Sequence, residues 1–360
     1  MVDSPELLCI GNAIVDVFVD ARPAWLNEQG ITEPVQHISR EQAQRILEAL
    51  DGGTHVKPVF SSGGGAANVA KIAAMLHTKT VFTGCIGVPD DGDSAGTGDH
   101  LAAVFYKDLR SAGVVPVLST GTEKTGVCFA FKCGNDGLRI AASPGASLEF
   151  TESNVPEDLI ANVEAIALDG YMLDRRPLVQ HILRLADRRG IPVALDAASV
   201  FQIKDKTEDI LQYCRNYPLI VFMNADESIV FYNTIKKSSE KIEAISEREK
   251  EALILRDICP VLRYITEGEL FPIIVIKLGG RGVAVLAGGN IYREETFTII
   301  PRNTVGAGDA FCAAFLSAWI KGKSIRECAA LGNKVAREIL LVPGTGIKKE
   351  KLKKFVKLLR

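Results

Sequence analysis

Near the carboxyl end, residues 303–312 read NTVGAGDAFC, with one carboxylate, Asp309, directly after Gly306, Ala307 and Gly308 and directly before an apolar run. If that run is a helix, the small residues lie at its amino end. Free N–H groups and the helix dipole hold an anion there, and the missing side chains let a phosphate approach closely. A carboxylate beside such a pocket can accept the proton of an attacking hydroxyl while the N–H groups stabilise charge on a transferring phosphoryl group. A plain helix cap is the other use of Asp at this place. Phosphoryl transfer also needs groups that hold the acceptor and the donor. GGGAANVAK (63–71) offers Asn68 in a glycine turn that lacks the P-loop spacing, and GNAIVD (11–16) ends on Asp16. MNADES (223–228) supplies Asn224 and Glu227, a pair suited either to a hydrated Mg2+ or to a helix start.

The elements that must position these residues are written in the apolar pattern. LLCIGNAIVDVFV, TVFTGCIG, AIALDG, PVALDA, LIVFMNA and FPIIVIKLG, beginning at residues 7, 80, 165, 192, 219 and 271, alternate with helix-period segments such as 66–76, 176–189 and 310–319. This alternation predicts an α/β fold with a doubly wound, mainly parallel sheet and helices on both faces. Ligands of such sheets sit beyond the carboxyl ends of the strands. Two regions break the pattern. Residues 17–60 carry strand-like pieces around a short helix that Ser39 and Gln42 open as a capping box. Residues 114–140 add VVPVLST, TGVCFAFKC and LRIAAS, with GNDG as a hairpin turn. Together they predict a small β-sheet lid on a core formed by 1–16, 61–113 and 141–360. EETFTIIP (294–301) reads as a strand, and the charged stretch 236–269 as exposed helix. The tail KKEKLKKFVKLLR is an amphipathic helix that can lie on an acidic membrane or pack Leu352, Phe355, Val356 and Leu359 on the core, and core packing is expected.

With 47% hydrophobic and 24% charged residues in 360, the chain can bury a sizeable core. A net charge of −2 gives no ground for a nucleic-acid partner. The eight cysteines form no C-x-x-C pair and read as reduced core thiols. No leader pattern and no run of ~18 apolar residues is present, so a cytosolic protein without a membrane partner is expected, as monomer or homodimer.

Taken in order, these residues resemble the ribokinase-like, or PfkB, family of carbohydrate and nucleoside kinases. NTVGAGDAF is similar to the family's carboxyl-terminal signature, and SGGGAANVAK with FTGCIG to its amino-terminal one. The resemblance implies ATP- and Mg2+-dependent phosphorylation of a hydroxymethyl group. On it, Asp309 is the base and Gly306, Ala307 and Gly308 form the anion hole. Asp16, Gly63, Gly64 and Asn68 hold substrate hydroxyls, with Arg139 in the same pocket. Asn224 and Glu227 serve phosphate and Mg2+, the metal through water, while Lys277, Gly279, Gly282, Thr304 and Asn333 line the nucleotide site. Lys277 takes the usual Thr position and can meet phosphate as a point charge. Asn303 stands where the family usually has Asp beside a monovalent-cation site, which puts K+ activation in doubt. FTGCIG, TGVCFAF, LDGYML and LDAASVF are most similar to the adenosine-kinase branch, which places Tyr171 on a base and Phe129, Phe131 and Phe201 in an apolar wall. An adenosine-like nucleoside is therefore the expected acceptor. The alternatives are a sugar kinase of the ribokinase, fructokinase or ketodeoxygluconate kinase type and a non-catalytic ligand-binding homologue. A nicotinamide oxidoreductase ranks last, because no G-x-G-x-x-G follows the first strand.

Overall fold

Strand β1 (Leu7–Ile10) is buried along its whole length because parallel strands flank it on both sides. Its side chains alternate between two layers: Leu7 and Cys9 join one hydrophobic cluster, Leu8 and Ile10 the other. This is the arrangement of a sheet covered on both faces, and it explains why the strand reads as a continuous apolar run. The computed structural model describes residues 5–52, 57–88, 98–134, 137–237, 245–265, 272–301, 305–341 and 349–359. Asn135 and Asp136 of the expected hairpin turn, Asn303 and Thr304 lie outside them.

The remaining strands, in chain order, are β2 (Ile14–Asp20), β3 (Val35–His37), β4 (Val59–Gly63), β5 (Thr80–Ile86), β6 (Val115–Thr120), β7 (Thr125–Lys132) and β8 (Leu138–Gly145), followed by β9 (Ala165–Leu168), β10 (Val193–Asp196), β11 (Leu219–Asn224), β12 (Ile273–Lys277), β13 (Val283–Ala287) and β14 (Asn290–Glu294). The main sheet has the order β14-β13-β12-β11-β10-β9-β1-β5-β6. It is parallel from β12 to β6, and β13 and β14 fold back antiparallel at one edge. Helices Gly65–Met75, His100–Ala112, Ala307–Ile320, Ile325–Leu340 and Lys349–Val356 feed one cluster, and Arg176–Asp187, Val200–Asn216 and Ala225–Lys236 the other. No described helix is long and apolar enough to cross a membrane.

A second, five-stranded sheet has the order β3-β8-β7-β2-β4 and forms the lid. Val15, Val17 and Val19 of β2 point to its covered face, where helix Arg40–Asp51 packs Ala43, Ile46 and Leu50. Asp16 and Phe18 alternate onto the other face.

Several expectations are corrected. VVPVLST is not a lid strand: β6 pairs parallel with β5, and helix His100–Ala112 supplies the crossover between them. Asp16 lies on the lid and not on the core, because β2 already starts at Ile14, and β8 carries the lid on to Gly145. Ser39 caps its helix by accepting from the Gln42 N–H at 3.2 Å, but the Gln42 side chain turns away to the Gln29 carbonyl, so half of the box is missing. EETFTIIP is a strand only to Glu294; residues 295–301 are irregular, with Phe297 79% exposed. The charged stretch is not merely a solvated surface. Its turns Ile254–Ile258 and Cys259–Ile265 bury Ile254, Ile258 and Leu262. The carboxyl-terminal helix buries Leu352, Phe355 and Val356, and Leu359 just after it is buried as well, as core packing requires.

Candidate active site

Helix Ala307–Ile320 opens on Gly306, whose φ of +80° is left-handed and suits glycine. Gly306 is the cap, so Asp309 at the third helical position is released from that duty. Its Oδ2 accepts from Asn68 Nδ2 at 2.9 Å. Asn68 sits on helix Gly65–Met75, which enters through Gly64 at φ +87°, where a Cβ would fall 2.6 Å from the Asn12 carbonyl oxygen. Gly63 has its own reason: a Cβ there would lie 2.2 Å from the carboxyl carbon of Asp16. The glycine turn thus seats Asp16 and aims Asn68 at Asp309.

A cavity of about 210 Å³ forms at this point, lined by Gly65, Asp169, Tyr171, Asp196, Asp309 and Cys312 among others. Asp169 directly follows β9, and Asp196 ends β10. Neither was expected as a site residue, although LDG and LDA place an Asp after each apolar strand, at the end where such sheets bind ligands. Burial, and then the Asp196 charge, push the Asp309 carboxyl up to about 7 against the opposing pull of Asn68 and Lys277. Burial also raises Asp169, whose Oδ1 accepts from the Tyr171 N–H at 3.0 Å. Asp16 is pushed up to about 6 by burial, offset in part by Lys71. Asp196 goes the other way. Burial opposes its charge, but Lys277 Nζ at 2.9 Å outweighs that and holds it below the usual range.

Lys277 closes β12 and also borders a second cleft of about 480 Å³. Asn224, Gly279, Gly282 and Asn333 line this cleft together with Ala307 and Gly308, so the residues expected around a nucleotide come together. A Cβ at Gly308 would stand 3.3 Å from Lys277 Nζ, which places the ammonium under the helix mouth. Gly282, at φ +93°, lies where a Cβ would come within 2.2 Å of the Glu294 carbonyl oxygen. Glu251 was not foreseen. Its carboxylate takes Arg281 and Arg293, which ties down the turn Gly279–Arg281.

Asn224 and Glu227 form a complete capping box: the Asn224 N–H donates to Glu227 Oε2 at 2.7 Å, and the Glu227 N–H to Asn224 Oδ1 at 2.9 Å. Asn224 also lines the cleft, while Glu227 stands behind it and accepts at Oε1 from Asn224 Nδ2 at 2.7 Å. Among the described residues no cluster of three or more His, Cys, Asp or Glu side chains can hold a metal by itself. A hydrated Mg2+ shared with phosphates needs only one or two carboxylates. The buried Glu227 beside Lys277 and Asp196 fits that need.

Four expected residues, Phe129, Phe131, Arg139 and Phe201, lie elsewhere. Phe129 neighbours Cys128, the residue in register with Asp16, and so points to the opposite, covered face of the lid, where it stacks on Phe131 at 5.5 Å. Arg139 is in register with Phe131 on that same face, and its Nη1 donates to Asn27 Oδ1 and the Ile31 carbonyl. A one-residue change of parity moves a strand residue from one face of the sheet to the other. Phe201 is 85% exposed at the start of its helix and does not line the cavity beside Asp309. Tyr171 does, and remains 47% exposed.

The chain is 23% identical over 305 residues to the ATP-dependent ribose-1-phosphate kinase of Halopiger xanaduensis, covering 82% of this chain and 87% of that one. It is 23% identical over 362 residues to the adenosine kinase of Schizosaccharomyces pombe, with 94% and 95% covered. The fold is similar to that of the adenosine kinase of Sinorhizobium meliloti, with a TM-score of 0.75, 23% identity and coverage of 98% and 99%. Residues 42–352 match the model of the pfkB family carbohydrate kinases. With that match over most of its length, and with a carboxylate set between two ligand-sized cavities, the chain belongs to the pfkB family and is a phosphotransferase acting on an alcohol group.

Proposed function

We propose that this kinase transfers the γ-phosphoryl group of Mg·ATP to the hydroxymethyl group of an uncharged nucleoside of the adenosine type. One observation carries the reading: Asp309 lines the acceptor cavity, while Ala307 and Gly308 of the same helical turn line the nucleotide cleft. A hydroxyl bound in the first cavity meets a carboxylate that titrates near neutrality, and the phosphoryl group it attacks meets backbone N–H groups. Asn68 orients Asp309 through Oδ2. Lys277 adds a fixed positive charge where negative charge gathers on the transferring oxygens. Glu227 is the carboxylate that would hold a hydrated Mg2+, which would supply neutralisation of the donor's negative charge.

The charge of the acceptor follows from the lining. Asp169, Asp196 and Asp309 border the cavity, and no Lys or Arg is among its lining residues. The nearby cations are engaged: Lys277 with Asp196, Arg175 with Asn12 and the Ser147 carbonyl, Lys71 with the Ser62 carbonyl and Asp108. Such a pocket opposes an anionic acceptor of the kind named for the Halopiger relative, and suits an uncharged one such as adenosine. The exposed Tyr171 at its rim offers a ring for a base. A neutral sugar is the second reading, favoured by the polar groups of Asp169, Asp196 and Asp309 in the lining.

The test is ADP formation from Mg·ATP with adenosine, other nucleosides, ribose, fructose, ketodeoxy sugar acids and ribose-1-phosphate. Adenosine is expected to give the highest kcat/KM. Turnover of neutral sugars alone would replace the nucleoside by the second reading, and turnover of anionic acceptors alone would overturn the charge argument.

A further inference from the structure

The cleft that Lys277 borders also holds Phe297 and Arg337, to which the sequence assigned no role. Phe297, Ile299, Pro301, Phe311, Ala336 and Leu340 make an apolar slot, and Phe297 presents its ring openly. One long polar side chain enters this slot from helix Ile325–Leu340. The guanidinium carbon of Arg337 stands 5.7 Å from the centroid of the Phe297 ring, and Arg337 Nε is buried with no hydrogen-bond partner among the described residues. A donor left buried in this way is costly until an acceptor arrives. Asn333, one turn earlier, has already given its Nδ2 to the Glu294 and Glu295 carbonyls at 3.3 and 3.4 Å, which fixes it to the backbone. Arg337 is therefore the side chain of the slot with an unused donor to offer a ligand.

We propose that Phe297 and Arg337 form the base-reading end of the donor site, and that Arg337 fits the base to a 6-oxopurine, guanine or hypoxanthine. The reason is the polarity of the edges. A guanidinium carries donors only, in a planar fork. Guanine and hypoxanthine present O6 and N7 side by side as two acceptors, whereas adenine presents an amino group, itself a donor, beside N7. The face of the exposed Phe297 ring that Arg337 does not cover supplies stacking to any base, so Phe297 gives affinity without choice and Arg337 gives the choice. The kinase accordingly accepts GTP and ITP as phosphoryl donors at least as well as ATP. This assignment rests on the kinase reading of the same cleft.

The test is direct titration calorimetry of the full chain with ADP, GDP, IDP and CDP, which needs no turnover. GDP and IDP are expected to bind at least as tightly as ADP. Arg337→Met is expected to weaken GDP and IDP about tenfold or more while changing ADP less than threefold. Phe297→Ala, at an exposed position that the fold does not depend on, is expected to weaken all three purine diphosphates by a similar factor and keep their ratio. ADP binding tighter than both GDP and IDP, equal losses for all purines in Arg337→Met, or unchanged binding in Phe297→Ala would each overturn the assignment and leave the kinase reading intact. Absence of binding by every diphosphate would overturn both.

Discussion

Asn68 and Asp309, 241 residues apart in the chain, meet through a 2.9 Å hydrogen bond from Nδ2 to Oδ2. That contact joins the two glycine-led helices and fixes the orientation of the carboxylate. Asp309→Asn is expected to cut turnover by about 10² or more with nucleotide affinity close to that of the parent. Asn68→Ala keeps the carboxylate but frees it, with a smaller loss of about tenfold. Steady-state kinetics and nucleotide titration check both, and near-parental turnover in Asp309→Asn would remove it from the role of base.

In the proposed reaction Asp309 must be ionised to act as base, and its carboxyl is pushed up to about 7. Activity on the acidic side therefore rises with pH and levels off above that midpoint. Asp196→Asn removes a charge that raises Asp309 and frees Lys277, whose charge lowers it, so the midpoint shifts to lower pH. Asn68→Ala removes a hydrogen bond that lowers Asp309, so the midpoint moves up. A pH profile of kcat/KM unmoved by either change would contradict this account.

The same shift has a cost in stability. A carboxyl whose pKa is raised on folding binds more protons in the native state than in the unfolded one, so its contribution falls as pH climbs from the unfolded value near ~4 through about 7. Asp309→Asn, which never ionises, is expected to melt at a higher temperature than the parent at pH 8 and to lose that advantage at pH 5. Thermal melts at the two pH values provide the measurement.

Lys277 and Asp196 compensate one another in a largely buried place. Removing one leaves the other charge stranded, so Lys277→Met is expected to cost on the order of 3 kcal/mol. The double variant Lys277→Met, Asp196→Leu is expected to cost less than the single one. Urea denaturation separates these outcomes, and additive losses would show that the two residues do not act as a pair.

Glu251 holds Arg281 and Arg293 at the turn that borders the nucleotide cleft. Glu251→Gln is expected to raise the KM for nucleotide about three- to tenfold and leave the KM for the acceptor unchanged. Equal effects on both substrates would point to a general loss of folding.

The main sheet was legible because its strands are short apolar runs that end in small or polar residues, and the ends of β9, β10, β11 and β12 lie beside the two cavities. The lid was legible only in part. Its period-two pattern is visible in IVDVFVD, but which parity faces the site depends on a register that only pairing supplies, and for that reason Phe129 and Arg139 were assigned to the wrong face. Asp169 and Asp196 were present as LDG and LDA, yet an Asp after a strand is common in turns and carries no sign of the partner it will meet. Arg337 and Glu251 left no local trace, since each acts on residues far away in the chain. Thr304 and Asn303, in the opening motif itself, lie outside the described residues.

The Lys277–Asp196 pair stands in the wall between the two cavities, with the cation lining one and the anion lining the other. A donor phosphate that draws the ammonium toward itself leaves Asp196 less compensated, and makes the acceptor cavity more negative. On the proposed reading, occupancy of one chamber would then be felt in the other, and by reciprocity an acceptor that neutralises Asp196 would change the grip on the donor by the same factor. A single ion pair would in this way couple the two halves of the proposed reaction before any phosphoryl group moves.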